Sequence, residues 1–162
     1  MSAYSYYTQR KAGLYVYNRA DVKTLAAWIV TVPRDLPLDQ HEKFFAESYR
    51  FLENRYGEEN TVQAIVHQDE SGQPHLHYCF IPVASDLKHG GEKSGEKICA
   101  NDILNRRELR DFHPALQKHL NDSGLDARVL NGATVGGNKT VQELKSERKF
   151  KHQINYNEGV TF

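Results

Sequence analysis

The sequence predicts an α+β domain in which helices cover one face of an antiparallel sheet. Two alternating segments, Asn60–Gln68 and His75–Val83, flank a short Gly-Gln-Pro turn and predict a hairpin. Two segments with helical spacing, one on either side of this hairpin, supply the covering layer. At 162 residues, 39% hydrophobic and 26% charged, the chain suits one compact domain over 1–162 with a core over 18–150, residues 1–17 being left open.

The elements follow in chain order. "MSAYSYYTQRKAGLYVYNRAD" is tyrosine-rich with weak periodicity, and reads as a frayed terminus or a strand laid on something later. "TLAAWIVTVP" (Thr24–Pro33) is an apolar run ended by proline, which reads as a central strand. In "PLDQHEKFFAESYRFLENRYG", Asp39 is placed to cap a helix. Phe44, Phe45, Tyr49, Phe51 and Leu52 then recur at helical spacing up to Gly57.

In the hairpin, Val62, Ala64 and Val66 face one way and Gln63, Ile65 and His67 the other. Leu76, Tyr78 and Phe80 oppose His75, His77 and Cys79 in the same manner. "SDLKHGGEKSGEK" reads as a mobile loop. Asn105–Gly124 reads as a helix that Pro114 kinks, unless its true start lies near Pro114. "LDARVL" (125–130) reads as a short strand and "VQELKSERKF" (141–150) as a final basic helix. The resulting order is that of a ferredoxin-like split βαβ domain with an extra helix.

That order leaves one sheet face open and puts His67, His75 and His77 on it. His75 and His77 are roughly 7 Å apart along one face. A register pairing position 67 with 75 or 77 brings three imidazoles to one point, a donor set suited to Zn, Mn, Fe, Co or Ni. Matched parity across a hairpin, with acids in the turn, outweighs a purely structural reading of these histidines. Glu70 can serve as a fourth ligand, as a hydrogen-bond partner behind a histidine, or as an acid/base group. Cys79 shares the parity but reads as a small buried residue. His41, His113 and His119 read as solvated helix residues, and His89 as a loop residue able to swing toward the site.

Formal net charge is zero, so nucleic-acid binding has to rest on a local patch. Arg106, Arg107 and Arg110 on the second helix are one candidate. Lys139, Lys145, Arg148, Lys149 and Lys151 near the C-terminal end are the other, and there bases outnumber Glu143 and Glu147. Two cysteines without a secretory signal predict reduced thiols and a cytoplasmic location, and no apolar run reaches the length of a membrane span.

"HQDESGQPHLHYCFIPV" resembles the metal motif of the Mob/Pre plasmid mobilisation relaxases, His-x-Asp-Glu followed by Pro-His-x-His, within the HUH endonuclease superfamily. "RADVKTLAAWIVTVPRDL", "NRRELRDFHPALQKHLNDSGL" and "GGNKTVQELK" are similar to flanking segments of that family, so the resemblance runs from about Asn18 to Lys149. It implies metal ligands at His67, His75 and His77 and a catalytic acid at Glu70. The implied cofactor is a divalent ion, Mn or Mg. The implied activity is transesterification that nicks single-stranded DNA at a plasmid transfer origin, with the conjugation machinery as a further partner.

The family form has fewer residues between the glutamate and the proline. It also carries a longer N-terminal segment with a nucleophilic histidine, and this chain is expected to be the relaxase core without that segment. Tyrosine serves as nucleophile elsewhere in the superfamily, and Tyr4, Tyr6, Tyr7, Tyr15 and Tyr17 are available, none singled out. Two alternatives stand beside the relaxase: a DNA-binding remnant that no longer nicks, and a histidine-triad-type nucleotide hydrolase. The second requires a histidine where Cys79 stands.

Overall fold

The computed structural model describes residues 1–68, 72–88 and 95–130. The described residues belong to one compact unit, Met1–Leu130. Its centre is a three-stranded antiparallel sheet of β1 (Ala26–Thr31), β2 (Thr61–His67) and β3 (His75–Phe80), in the order β1-β3-β2. The apolar run at 24–33 is therefore an edge strand, and the histidine strand takes the middle. Its apolar character is two-sided: Ala26, Trp28 and Val30 pack toward the helices, while Ala27 and Ile29 lie on the exposed face.

The helix α2 (His41–Tyr56) fills the space under the sheet as its spacing predicts, burying Phe44, Phe45, Ser48, Phe51, Leu52 and Tyr56. Asp39 does not cap it. That residue sits inside a 3₁₀ turn, Leu38–Gln40, and Gln40 precedes the helix without a side-chain hydrogen bond to it. Gly57 ends α2 at φ +93°, where a Cβ would lie 2.7 Å from the Asn60 Nδ2.

Helix α4 (Arg106–Asp122) runs without a break through Pro114, and the Asn105 side chain caps it by accepting from the Glu108 N–H. Leu76, Tyr78 and Phe80 of β3 meet Phe44, Leu52, Phe112, Leu116 and Leu120 in one core. Trp28 stacks on Phe112 with centroids 3.7 Å apart.

Two parts of the expected order differ. Residues 125–130 form no strand and pair with none among the described residues. The Gln117 side chain takes the place of a neighbouring strand, donating to the Ala127 carbonyl at 2.7 Å and accepting from the Val129 N–H at 2.9 Å. Leu125 and Ala127 are thereby held in the core. The glycine-rich segment expected as a loop has strands at its ends, β4 (Val83–Ser85) and β5 (Glu96–Ile98), which pair with each other. A short helix, α3 (Ala100–Ile103), follows β5. The helix expected at 141–150 lies outside the described residues.

The N-terminal stretch is neither frayed nor a strand at its start. It forms helix α1 (Ala3–Ala12), capped by Ser2, with Arg10 and Lys11 in the last turn where they complement the helix dipole. After α1, Leu14 and Val16 pack with Ile81 and Ile98, and Tyr15 joins β5 beside Lys97.

Side-chain contacts from Glu108 and Glu47 tie the covering helices together. Arg55 of α2 grips Glu108 of α4 with two hydrogen bonds, at 2.6 and 2.8 Å, and the Tyr56 hydroxyl donates to the same carboxylate at 2.7 Å. Glu47 accepts from Ser123 and contacts the His119 ring, so His119 is an interhelix contact, not a solvated histidine. Burial opposes ionisation of Glu108, but the bonds from Arg55 and Tyr56 outweigh it and hold the carboxyl below its ordinary value of 4.5.

A folded-state pKa held below the unfolded one adds stability above the unfolded value, and that stability disappears as pH falls through the folded value. Glu108→Gln is therefore expected to cost roughly 1–3 kcal/mol at neutral pH. The deficit should begin to shrink below about pH 4.5, where the unfolded chain takes up the proton, and should vanish once the folded carboxyl is protonated at still lower pH. Urea unfolding of parent and variant at neutral and acidic pH checks this.

Candidate metal centre

Alternation along β3 sends Leu76, Tyr78 and Phe80 into the core and leaves His75, His77 and Cys79 on the opposite face. The hairpin register then completes the cluster. His67 is paired directly with His75, and Ile65 with His77. A β-bulge at Val62 precedes this stretch, and the pairing is regular from Gln63 to His67.

The three rings meet. Their centroids are 5.4 Å apart for His67–His75, 4.7 Å for His67–His77 and 4.8 Å for His75–His77. One ligating nitrogen from each lies within 4.8 Å of the other two, and all three residues are half-buried. Among the described residues this is the one cluster of histidine, cysteine and acidic side chains able to hold an ion.

The backbone before β3 orients one ligand. His75 Nδ1 lies 2.9 Å from the Gln73 carbonyl oxygen, which can only accept, so Nδ1 carries the hydrogen and Nε2 presents its lone pair. The next carbonyl, of Pro74, accepts from the Val32 N–H at 3.0 Å and ties this turn to the end of β1. Sequence reasoning missed the Gln73 contribution because it is a main-chain contact. The only hint was a proline placed just before the strand, which holds its neighbour in extended conformation.

The donor set fits a divalent first-row ion. Three neutral imidazoles supply nitrogen ligands and leave further coordination positions for oxygen donors such as water or phosphate.

The other expected site residues are placed as follows. Glu70, His89, Lys139, Lys145, Arg148, Lys149 and Lys151 lie outside the described residues. Arg106 and Arg107 open α4, which packs on the core face of β3, so they do not converge with the histidines. Arg107 is ion-paired with Asp111 at 3.6 Å and lines a cleft of about 410 Å³ with Arg55, Asp102 and Glu108. Arg110 is bound to Asp111 as well.

Of the N-terminal tyrosines, Tyr6 donates to the Glu59 carbonyl and Tyr7 shares a hydrogen bond with Thr24. Tyr4 is 78% exposed. Tyr15 and Tyr17 form an edge-to-face pair, with Arg19 over Tyr17. Cys79 is only partly buried, and that burial pushes its thiol pKa up. No helix of the described residues is long and apolar enough to cross a membrane.

Residues 5–156 match the Mob_Pre family model, described as plasmid recombination enzyme. A plasmid recombination enzyme of Lactiplantibacillus plantarum is 30% identical over 135 residues, covering 81% of this chain and 35% of that protein. The type 1 plasmid recombination enzyme of Staphylococcus aureus is 29% identical over 121 residues, covering 74% and 28%. The chain thus spans about a third of the length of the curated relatives it matches.

Among solved structures, the MobM relaxase domain bound to plasmid pMV158 oriT DNA, in a Mn-bound crystal structure at pH 6.8, superposes with a TM-score of 0.64. The two are 27% identical, over 87% of this chain and 69% of that one. The same domain bound to 26-nucleotide pMV158 oriT DNA gives a TM-score of 0.63, at 27% identity over 87% of this chain and 78% of that one. A family match over nearly the whole chain, together with a histidine site of the expected geometry, places this protein in the Mob_Pre family of plasmid recombination enzymes.

Proposed function

We propose that this chain is a metal-dependent relaxase domain that nicks one strand of plasmid DNA at a transfer origin. The observation that carries the proposal is the convergence of His67, His75 and His77 on the open face of the sheet. Relatives that carry the name plasmid recombination enzyme, and MobM relaxase domains bound to oriT DNA with Mn, support the same reading.

The three histidines would hold Mn or Mg, and the Gln73 carbonyl keeps the His75 ring in the ligating tautomer. A divalent ion held there would supply charge neutralisation at the scissile phosphate. Glu70, which falls between the two ligand strands in the sequence, acts as an acid/base group. Arg106, Arg107, Lys139, Lys145, Arg148 and Lys149 contact phosphates of the single strand. The conjugation machinery is the further partner, and a cytoplasmic location goes with plasmid DNA as the substrate.

The test is cleavage of a single-stranded transfer-origin oligonucleotide by the full chain, with Mn and with a chelator. Cleavage that needs Mn supports the relaxase. Retention of the strand without cleavage under any divalent ion would show a binding module instead. The phosphate contacts have their own signature. The log–log dependence of affinity on salt should have a slope of roughly −0.7 per contact. Replacing Lys145, Arg148 and Lys149 together with alanine should flatten it by about 2. A parent slope near zero would remove these residues from the interface.

A further inference from the structure

The open face carries large apolar side chains that the core does not use. Ile29 of β1 and Ile65 of β2 are the register partners of His77, one on each side. They are 59% and 43% exposed. The middle row of this face therefore reads isoleucine, metal ligand, isoleucine. The row toward the turn holds Thr31, His75 and His67, and the row on the other side Ala27, Cys79 and Gln63. Among these described positions none is acidic.

Isolated exposed apolar residues need no explanation, but these two are neither isolated nor randomly placed. Two β-branched residues at one level of the sheet, with a metal ligand between them, make an apolar bracket continuous with the ion site. A strand spacing is ~4.8 Å, so each isoleucine stands about that distance from His77 across the ladder.

Resting on the relaxase reading, we infer that Ile29 and Ile65 form the seat for the two nucleosides flanking the phosphate held at the histidines. A phosphodiester carries a nucleoside on each side. A DNA strand laid across the β-strands over His77 brings one sugar–base unit to each isoleucine while the ion draws the phosphate to the centre. The apolar side chains bury base and sugar faces without a hydrogen-bond code, so the seat fixes the position of the strand and is indifferent to its sequence. The absence of acidic side chains from the described rows on either side lets the polyanion pass without repulsion. This interface lies on the face opposite the one covered by α4, and hence apart from Arg106 and Arg107.

The test uses the full chain and the double variant Ile29→Ala/Ile65→Ala, with oligothymidylate as the single-strand probe in the presence of Mn. Affinity for the probe should fall roughly tenfold, the effect of exposing two apolar contacts. Mn affinity by titration calorimetry and the thermal unfolding midpoint should both stay at the parent's values. The conservative pair Ile29→Leu/Ile65→Leu should restore most of the binding. With a probe whose thymines are replaced by abasic sugars, the difference between parent and double variant should shrink to less than half on a logarithmic scale, because the seat then holds sugar faces alone.

Unchanged oligothymidylate affinity in the double variant, with His77→Ala abolishing Mn-dependent binding, would overturn the seat and leave the relaxase reading standing. A lowered unfolding midpoint would also overturn it, by showing that the chain's own residues cover this face. A parent that binds Mn but no single strand would overturn both readings together.

Discussion

Replacing His77 with alanine is expected to weaken Mn binding by at least about 100-fold while leaving the unfolding transition of the protein nearly unmoved. The two halves of this result come from one strand. His77 projects from β3 onto the open face, where its nearest ring neighbours are the other two histidines, at 4.7 and 4.8 Å. Removing it leaves two nitrogen donors, too few to hold a first-row ion against water and buffer.

The same substitution deletes no core contact, because the adjacent side chains, Leu76 and Tyr78, point the other way and are 2% and 0% exposed. A change on an uncovered sheet face typically moves stability by no more than about 0.5 kcal/mol. Titration calorimetry with MnCl2 and thermal unfolding followed by circular dichroism read the two quantities separately. Mn binding at parental strength in His77→Ala would place the ion elsewhere. Nicking of origin DNA should fall with Mn affinity, and His75→Ala should behave as His77→Ala does.

The histidine site was legible in the sequence because its geometry depends on period-two alternation and a short turn, both of which are local. Parity alone put His67 with His75 and His77, and the observed register, 67 with 75, is one of the two that parity allowed. The α2 helix was legible for the same reason: five aromatic and aliphatic residues at helical spacing can face only one way.

What escaped was set by partners far away in the chain. Helix α1 buries no residue completely, so it has no apolar stripe to detect. Its position comes from contacts such as Tyr6 with Glu59 and Arg10 with Glu96. The run at 24–33 read as a central strand because apolar residues on both faces normally mean burial on both faces. Here Ile29 is exposed, and the strand is an edge. Residues 125–130 have strand-like alternation, but the Gln117 amide meets their backbone groups in place of a ladder. No pattern internal to that segment distinguishes the two.

Phe80→Ala is expected to have the largest effect on stability, a loss of about 3–5 kcal/mol. Phe80 is 0% exposed at the end of β3, stacked on Tyr56 with centroids 4.2 Å apart and beside Tyr78 at 5.8 Å. Truncation removes the ring's burial and leaves a cavity between α2 and the sheet that neighbours held by hydrogen bonds cannot fill. Tyr56 is anchored by Trp28 and Glu108, and Tyr78 by Thr61, so neither ring is free to collapse inward.

Against a typical domain stability of roughly 5–15 kcal/mol, this loss brings the fold close to its threshold. The strand that unfolds is the one that carries His75 and His77, so Mn affinity should fall in Phe80→Ala although no ligand is touched. The linkage also runs in reverse. An ion that binds only the folded hairpin stabilises it by about 2.7 kcal/mol at 100 times its Kd. Mn should therefore raise the urea midpoint of Phe80→Ala and restore much of the loss, whereas it should leave that of His77→Ala where it was. A Phe80→Ala protein that Mn fails to stabilise would mean that the β3 hairpin and the ion site are not coupled as the alternation of this strand requires.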